Sequence, residues 1–192
     1  MRILAYCDWR YLAATRRVVG EGKETMIVSS PPLFASHILP EFLEGYDLLY
    51  LDLHGLPQSG FLYTQTYNKA GDFALNFQTV RRADLDGTVV VATTCYLPET
   101  PFVNAFLHAG AAAVIGGSGA NYGSRRRLSG AQALAKHVIR NLQRDVAPAA
   151  ALGRAKKRLR RDKRRMILER TATKDALAFK LFTKQESEKR SL

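Results

Sequence analysis

A histidine and a cysteine each end a run of apolar residues in the middle of this 192-residue chain. The run YDLLYLDL (residues 46–53) leads to His54 and Gly55, and the run TVVVATT (88–94) leads to Cys95. A thiol is nucleophilic as its thiolate, and a neighbouring imidazole can take its proton and later give it to a leaving amine. Because parallel strands end at a common rim of the sheet, neighbouring strands here would form a His54/Cys95 catalytic dyad.

Gly55 and Cys95 also suggest an oxyanion hole. The N–H of a glycine can point into a site that a side chain would fill, and it would stand beside the N–H of Cys95. The alternative for Cys95 is a structural role, since a cysteine often packs as a small buried hydrophobe. We expect that packing role for Cys7, which lies in the first strand without a nearby histidine.

The elements that would position these residues alternate between strand and helix. Continuous apolar runs indicate strands buried on both faces, as in a parallel sheet, and strands are predicted at 2–7, 25–29, 46–53, 88–94 and 111–116. Helices are predicted at 10–19, 33–43 and 101–109, and residues 56–87 look like a hairpin or an insert. The fold class is therefore α/β, a three-layer α/β/α sandwich with a mostly parallel central sheet.

The last third of the chain is predicted to be helical. One apolar stripe marks a helix that Pro148 would end: Leu134, Val138, Leu142 and Val146. A second stripe marks the next helix: Leu152, Ala155, Leu159 and Met166. We expect a single domain over residues 1–183 and a flexible tail over 184–192, where no hydrophobic pattern continues.

Composition excludes several classes of protein. The two cysteines form no disulfide framework and no metal-ligand spacing, so we expect a reducing, cytoplasmic location and no metal. Apolar runs are strand-sized, so we expect no membrane partner. The first residues predict a strand and not a signal peptide, and the first strand-to-helix turn has no glycine, which argues against a dinucleotide-binding fold.

Several sequence segments together resemble the caspase-like (clan CD) cysteine peptidases, most closely the CHAT-domain proteins. These are His54-Gly55, the cysteine about forty residues later, GAAAVIGGSG (110–119), AALGRAKKRLR (150–160) and DALAFKLF (175–182). The resemblance implies a caspase-like fold and a cysteine-type endopeptidase acting on protein substrates without a cofactor. It also implies control by a separate regulatory protein. The chain departs from the family at Thr94 and Tyr96-Leu97-Pro98 around the cysteine, and at 183–185, where Gly-Asp-Pro is usual.

A candidate substrate pocket surrounds the predicted dyad. It comprises Asp52, Tyr96, Gly117 and Ser118, the last two in the glycine-rich segment 116–123, whose spacing fits no phosphate-binding motif. Asp52 shares a strand face with His54, so it could orient the imidazole, hold a basic substrate side chain, or pair with an arginine. Asp84 and Asp86 are further candidates for recognising a basic substrate residue.

The formal net charge of +12 is concentrated in two places. Nine of the twelve residues 154–165 are Lys or Arg, Arg125–Arg127 add three more cations, and the rest is nearly neutral. The basic stretch is either a solvated helix face or a patch that binds a partner, through Arg158, Arg160, Arg161 and Arg164. With no aromatic residue in it, contacts to nucleic acid would be to phosphates.

Two other functions therefore remain beside the peptidase. The chain could be a catalytically silent pseudo-peptidase that serves as an interaction module, in which Cys95 would be dispensable. It could instead be a nucleic-acid-binding protein that uses the basic helix, in which case neutralising its arginines would abolish salt-sensitive binding.

Overall fold

The computed structural model describes residues 1–64, 72–121, 128, 130–163 and 176–184. The predictions that concern Arg164, Met166, Arg125–Arg127 and residues 185–192 fall outside these ranges, and so does part of the glycine-rich segment. The extent of the single domain stays a prediction.

A six-stranded sheet forms the centre of the molecule, in the order β2-β1-β3-β6-β7-β8. Its strands are β1 (Ile3–Asp8), β2 (Thr25–Ser30), β3 (Leu48–Asp52), β6 (Val89–Ala92), β7 (Ala113–Gly117) and β8 (Phe179–Phe182). The first five are parallel, and β8 pairs antiparallel with β7. Every residue of β1, β3 and β7 is buried. The α/β class with a mostly parallel sheet is thus confirmed, and each predicted strand is present within two residues of its expected ends.

Helices cover both faces of this sheet. They are α1 (Leu12–Val19), α2 (Phe77–Arg82), α3 (Phe102–His108), α4 (Gly130–Leu142) and α5 (Pro148–Lys163). Leu49 and Leu51 of β3 join the core beneath α2 and α3, whereas Leu48 and Tyr50 join the core beneath α1, α4 and α5. Successive side chains of a strand point to opposite faces, so a continuous apolar run supplies both cores at once. The predicted three layers are confirmed.

The helix predicted over 33–43 is wrong. The segment contains two short 3-10 turns, Ala35–His37 and Pro40–Leu43, separated by extended backbone at Ile38 and Leu39. Pro40 has no N–H to donate and disfavours helical backbone at Leu39, which has φ −87° and ψ 158°. The apolar spacing fits a helix, but Pro40 prevents a continuous one.

The helix pair near the C-terminus also differs from expectation at its junction. α4 ends at Leu142, so Val146 lies outside it, and Pro148 is the first residue of α5 instead of the end of α4. Proline suits the first helical position, where its missing N–H would have no partner in the helix. The stripes formed by Leu134, Val138 and Leu142, and by Leu152, Ala155 and Leu159, are buried as predicted.

Within 56–87, the described residues contain two paired strands followed by a helix. The strands β4 (Phe61–Tyr63) and β5 (Phe73–Asn76) pair antiparallel, and the rings of Phe61 and Phe73 stack with centroids 4.1 Å apart. α2 follows directly, its first turn capped by the Asn76 side chain, which accepts from the N–H of Gln78 at 2.9 Å. Among the described residues, no helix is both long and apolar enough to cross a bilayer.

Candidate active site

The predicted dyad lies where two neighbouring parallel strands end. β3 pairs with β6, with Leu51 opposite Ala92, so the chain segments that leave these strands toward His54 and Cys95 run along the same rim. A small cavity at this rim is lined by both residues, together with Tyr11, Asp52, Leu53, Thr93, Asn121 and Ala131. The structure therefore brings the thiol and the imidazole to one cavity.

Asn121 holds the cysteine in place. Its backbone N–H points at the Cys95 sulfur, with N and Sγ 3.1 Å apart, and its side-chain amide donates to the Thr94 carbonyl at 2.8 Å. The Cys95 thiol can in turn donate to the Asn121 carbonyl, with Sγ and O 3.5 Å apart, so Asn121 contacts the sulfur through both of its backbone polar groups. Asn121 follows β7, the strand beside β6. The predicted pocket includes Gly117 and Ser118 of the same segment but not Asn121, although the rule that ligands gather at the carboxyl ends of strands could have singled it out.

His54 is fixed through both its backbone and its ring. Its N–H donates to the Tyr63 carbonyl at 2.9 Å, and its carbonyl accepts from the Tyr63 N–H at 2.8 Å. Nε2 of the ring lies 3.3 Å from Oδ2 of Asp8, and the Tyr11 ring lies beside it, with centroids 5.6 Å apart. If Nε2 donates its proton to Asp8, the other ring nitrogen, Nδ1, is the acceptor available to a thiol proton.

Asp8 also binds Arg10. Oδ1 accepts from the backbone N–H of Arg10 at 2.9 Å and from Nε at 3.2 Å, and Oδ2 accepts from Nη2 at 3.2 Å. The Asp8 side chain is fully buried, and Nη2 of Arg10 also lies 3.3 Å from His54 Nε2. Sequence reasoning missed both residues, although Asp8 ends β1, the strand next to β3, and so belongs to the same rim.

Gly55 packs directly against the cysteine segment. A Cβ at this position would collide with the Cys95 carbonyl oxygen and lie 2.6 Å from Cγ2 of Thr94, so a larger residue would force the two segments apart. Within the described ranges, the Gly55 N–H has no hydrogen-bond acceptor. Glycine at this position therefore permits the close approach that an oxyanion hole would need.

Asp52 lies beneath the cavity and is 3% exposed. Its carboxylate accepts from the Thr93 hydroxyl at 2.7 Å, the Gln132 amide at 2.9 Å and the Thr15 hydroxyl at 3.3 Å. Burial raises the pKa of Asp52, and these three hydrogen bonds oppose the rise. These donors are neutral, and the carboxylate in contact with His54 belongs to Asp8. Asp52 thus lines the cavity without an ion pair to an arginine among the described residues, and its role stays a prediction.

The other predicted pocket residues lie around the cavity without lining it. Tyr96 has left-handed backbone, with φ 53°, and its N–H donates to the Gly119 carbonyl at 2.8 Å. Gly117 ends β7, where a Cβ would lie 2.7 Å from the Phe179 ring, and the hydroxyl of Ser118 donates to the Ala178 carbonyl at 3.4 Å. Strained backbone directly after a cysteine is typical of functional sites.

The remaining candidates are distributed over the molecule. Asp84 and Asp86 precede β6, so they lie near the amino end of this strand, whereas the thiol follows its carboxyl end. Cys7 is buried in β1, and burial raises its pKa to about 12, as suits a packing role. Arg158, Arg160 and Arg161 are exposed on α5. The described residues contain no group of three His, Cys, Asp or Glu side chains that could hold a metal ion.

Comparison with known proteins finds similarity in structure but none in sequence. No family model and no curated protein matches the sequence. The structure is similar to that of a secreted C11 cysteine protease from Bacteroides thetaiotaomicron, solved in complex with an irreversible peptide inhibitor, with a TM-score of 0.46 and 10% identity. The match covers 79% of this chain and 56% of the protease, so this chain spans little more than half the length of that protein.

Proposed function

We propose that the protein is a cysteine endopeptidase in which Cys95 is the nucleophile and His54 the acid and base. The observation that supports this most directly is the cavity at the carboxyl rim, which both side chains line. The buried Asp8 carboxylate behind the imidazole adds the third member that commonly orients such a base.

The proposed reaction runs through an acyl-enzyme. The Cys95 thiolate attacks the peptide carbonyl carbon while His54 holds the thiol proton, and the N–H groups of Gly55 and Cys95 stabilise the oxyanion. The carbon–nitrogen bond then breaks as His54 gives the proton to the leaving amine. His54 next activates a water molecule, which hydrolyses the thioester and restores the thiol. Because a side chain supplies the nucleophile, this route requires no cofactor.

The substrate would reach the thiol along the rim between β6 and β7. We assign Asp52, Tyr96, Gly117 and Ser118 to its pocket, where Asp52 lies in the cavity lining and the others surround Asn121 and Cys95. The same proposal includes three further points. The chain would belong to the caspase-like peptidases and to their CHAT-domain branch, it would act in the cytoplasm, and a separate partner protein would control it.

The first test is the alkylation of each cysteine by iodoacetamide as a function of pH, resolved by mass spectrometry. In the wild type we expect Cys95 to react with a midpoint below the ~8.5 of a free thiol. His54→Ala should raise that midpoint, whereas the matched control His108→Ala, on the exposed end of α3, should leave it unchanged. Cys7 provides an internal reference, because a fully buried thiol should stay unmodified while the protein is folded.

Two outcomes would count against the proposal. If Cys95 reacts alike in wild type, His54→Ala and His108→Ala, the imidazole does not activate the thiol. If the thiol is activated but a panel of unfolded proteins shows no new N-termini that depend on Cys95, the interaction module becomes the better interpretation.

A further inference from the structure

A cationic groove runs between α4 and α5, on the face of the sheet opposite α2 and α3. Its volume is about 450 Å³, within the range of ligand sites. Its lining carries six side chains that are always positive at neutral pH: Arg140, Arg144, Arg154, Lys157, Arg158 and Arg161. The predicted basic helix is therefore one wall of a groove whose second wall comes from α4 and the turn after it.

Helical spacing explains why these cations face one another. The four from α5 follow the i, i+3, i+4, i+7 repeat that places side chains on one helix face. His137, Arg140, Asn141 and Arg144 have the same repeat along the opposite wall. Arg160 is outside this lining, although it belongs to the same basic stretch. Only some of the basic residues of α5 therefore line the groove.

The groove has little negative charge of its own. Asp162 is the acid in contact with it, with Oδ2 at 3.2 Å from Nε of Arg158 and 3.7 Å from Nε2 of His137. Burial, followed by the cations Arg158, Arg140 and Lys136, lowers the pKa of His137, and Asp162 opposes this. Like charges at this density repel one another, so an anionic ligand would stabilise the helix pair.

We propose that this groove binds the phosphodiester backbone of single-stranded nucleic acid. Guanidinium groups match phosphate oxygens with paired hydrogen bonds, and five of the six cations are arginines. No aromatic residue lines the groove among the described residues, so contact is with the backbone and not with the bases. A groove of about 450 Å³ has the volume of a small-ligand site, so the backbone of one strand can enter it, whereas a whole duplex is too wide. This proposal does not depend on the peptidase.

The test measures the affinity of the full chain for a fluorescent thymidine dodecamer by anisotropy, between about 50 and about 200 mM NaCl. Each phosphate contact contributes about 0.7 to the slope of log K against log salt for single strands. Arg144→Gln/Arg161→Gln removes one cation from each wall, so the slope should fall by about 1.4. The matched control Arg81→Gln/Arg160→Gln lowers the net charge equally, at α2 and outside the groove, and should keep the wild-type slope.

The proposal is overturned if both double variants weaken binding equally, because net charge alone would then explain it. It is also overturned if the wild type does not bind at the lowest salt concentration or prefers duplex DNA. Displacement of the dodecamer by poly-glutamate at equal charge would identify an acidic protein surface as the partner instead. Circular dichroism of both variants confirms that the exposed Arg→Gln changes leave the helices intact.

Discussion

The buried carboxylate of Asp8 is the residue that most changes how the candidate site is understood. One of its oxygen atoms, Oδ2, lies within 3.3 Å of both the imidazole of His54 and the guanidinium of Arg10. A buried carboxylate requires such partners, because an unpaired charge would be expensive to remove from water. The Asp8 carboxylate therefore has a hydrogen-bonding partner in each of these two side chains.

Replacement of Asp8 should reduce the reactivity of Cys95. In Asp8→Asn the imidazolium loses its anion and keeps Arg10 as a neighbour, so the thiolate–imidazolium pair becomes less stable. We expect the alkylation midpoint of Cys95 to move up toward the ~8.5 of a free thiol. The readout is the pH profile of alkylation, which a purely structural role would not move in a folded variant.

Asp86→Asn is the control for this prediction, because Asp86 is exposed and lies before the amino end of β6, away from the thiol. Near-ultraviolet circular dichroism of both variants establishes that the core is intact. An unchanged midpoint in folded Asp8→Asn would show that Asp8 only fills space behind the ring.

Two glycines in different elements differ in the space around them. Gly153 lies within α5, and a Cβ on it would have nothing within 4 Å. Gly116 lies in β7, where a Cβ would collide with Cδ2 of Leu97 and come within 3.3 Å of its Cβ. The first therefore weakens its helix, whereas the second lets the segment after Cys95 pack onto the sheet.

Alanine at these two positions should change the free energy of unfolding in opposite directions. Gly153→Ala should stabilise the protein by about 0.5–1 kcal/mol, because alanine loses less backbone entropy in a helix. Gly116→Ala should destabilise it by about 1–3 kcal/mol, because Leu97 must leave its buried position. Urea denaturation measures both, and destabilisation by Gly153→Ala would contradict the open space seen around that residue.

At the scale of the whole molecule, the sheet separates two cores that bury several ionisable groups. Burial raises the pKa of Cys7 and of Tyr6 to about 12, and both lie in β1, which is flanked by β2 and β3. A group whose pKa is raised by folding stabilises the fold below its unfolded value and loses that effect as the pH rises toward its folded value. For Cys7 this window runs from an ordinary value of 9.0 to about 12.

The stability of the protein should therefore fall above pH 9, and Cys7 should account for part of the slope. In that window the unfolded thiol ionises while the folded thiol does not, which costs up to about 1.4 kcal/mol per pH unit. Cys7→Ala and Cys7→Ser carry no such proton, so their free energies of unfolding should fall less steeply than that of the wild type. Identical slopes in all three proteins would mean that Cys7 ionises equally in the folded state.

Local sequence determined most of the sheet and the location of the candidate site. Apolar runs without alternation specify strands buried on both faces, and the carboxyl ends of parallel strands meet at a common rim. The residue pattern therefore predicted that His54 and Cys95 meet if their strands are neighbours, and the tertiary structure supplies that pairing. Their catalytic roles stay a prediction. The local pattern was misleading at 33–43, because apolar spacing does not register what Pro40 does to the backbone.

Tertiary structure alone decided which groups surround the thiol and which basic residues act together. The neighbours of His54 and Cys95 are Asp8, Arg10 and Asn121, which come from β1 and from the segments after β1 and β7. The second wall of the cationic groove comes from α4, outside the basic stretch that the sequence displays. Such contacts join residues that are far apart in the chain. The periodicity of apolar residues shows which face of a helix or strand is buried, but it does not show which other element packs against that face.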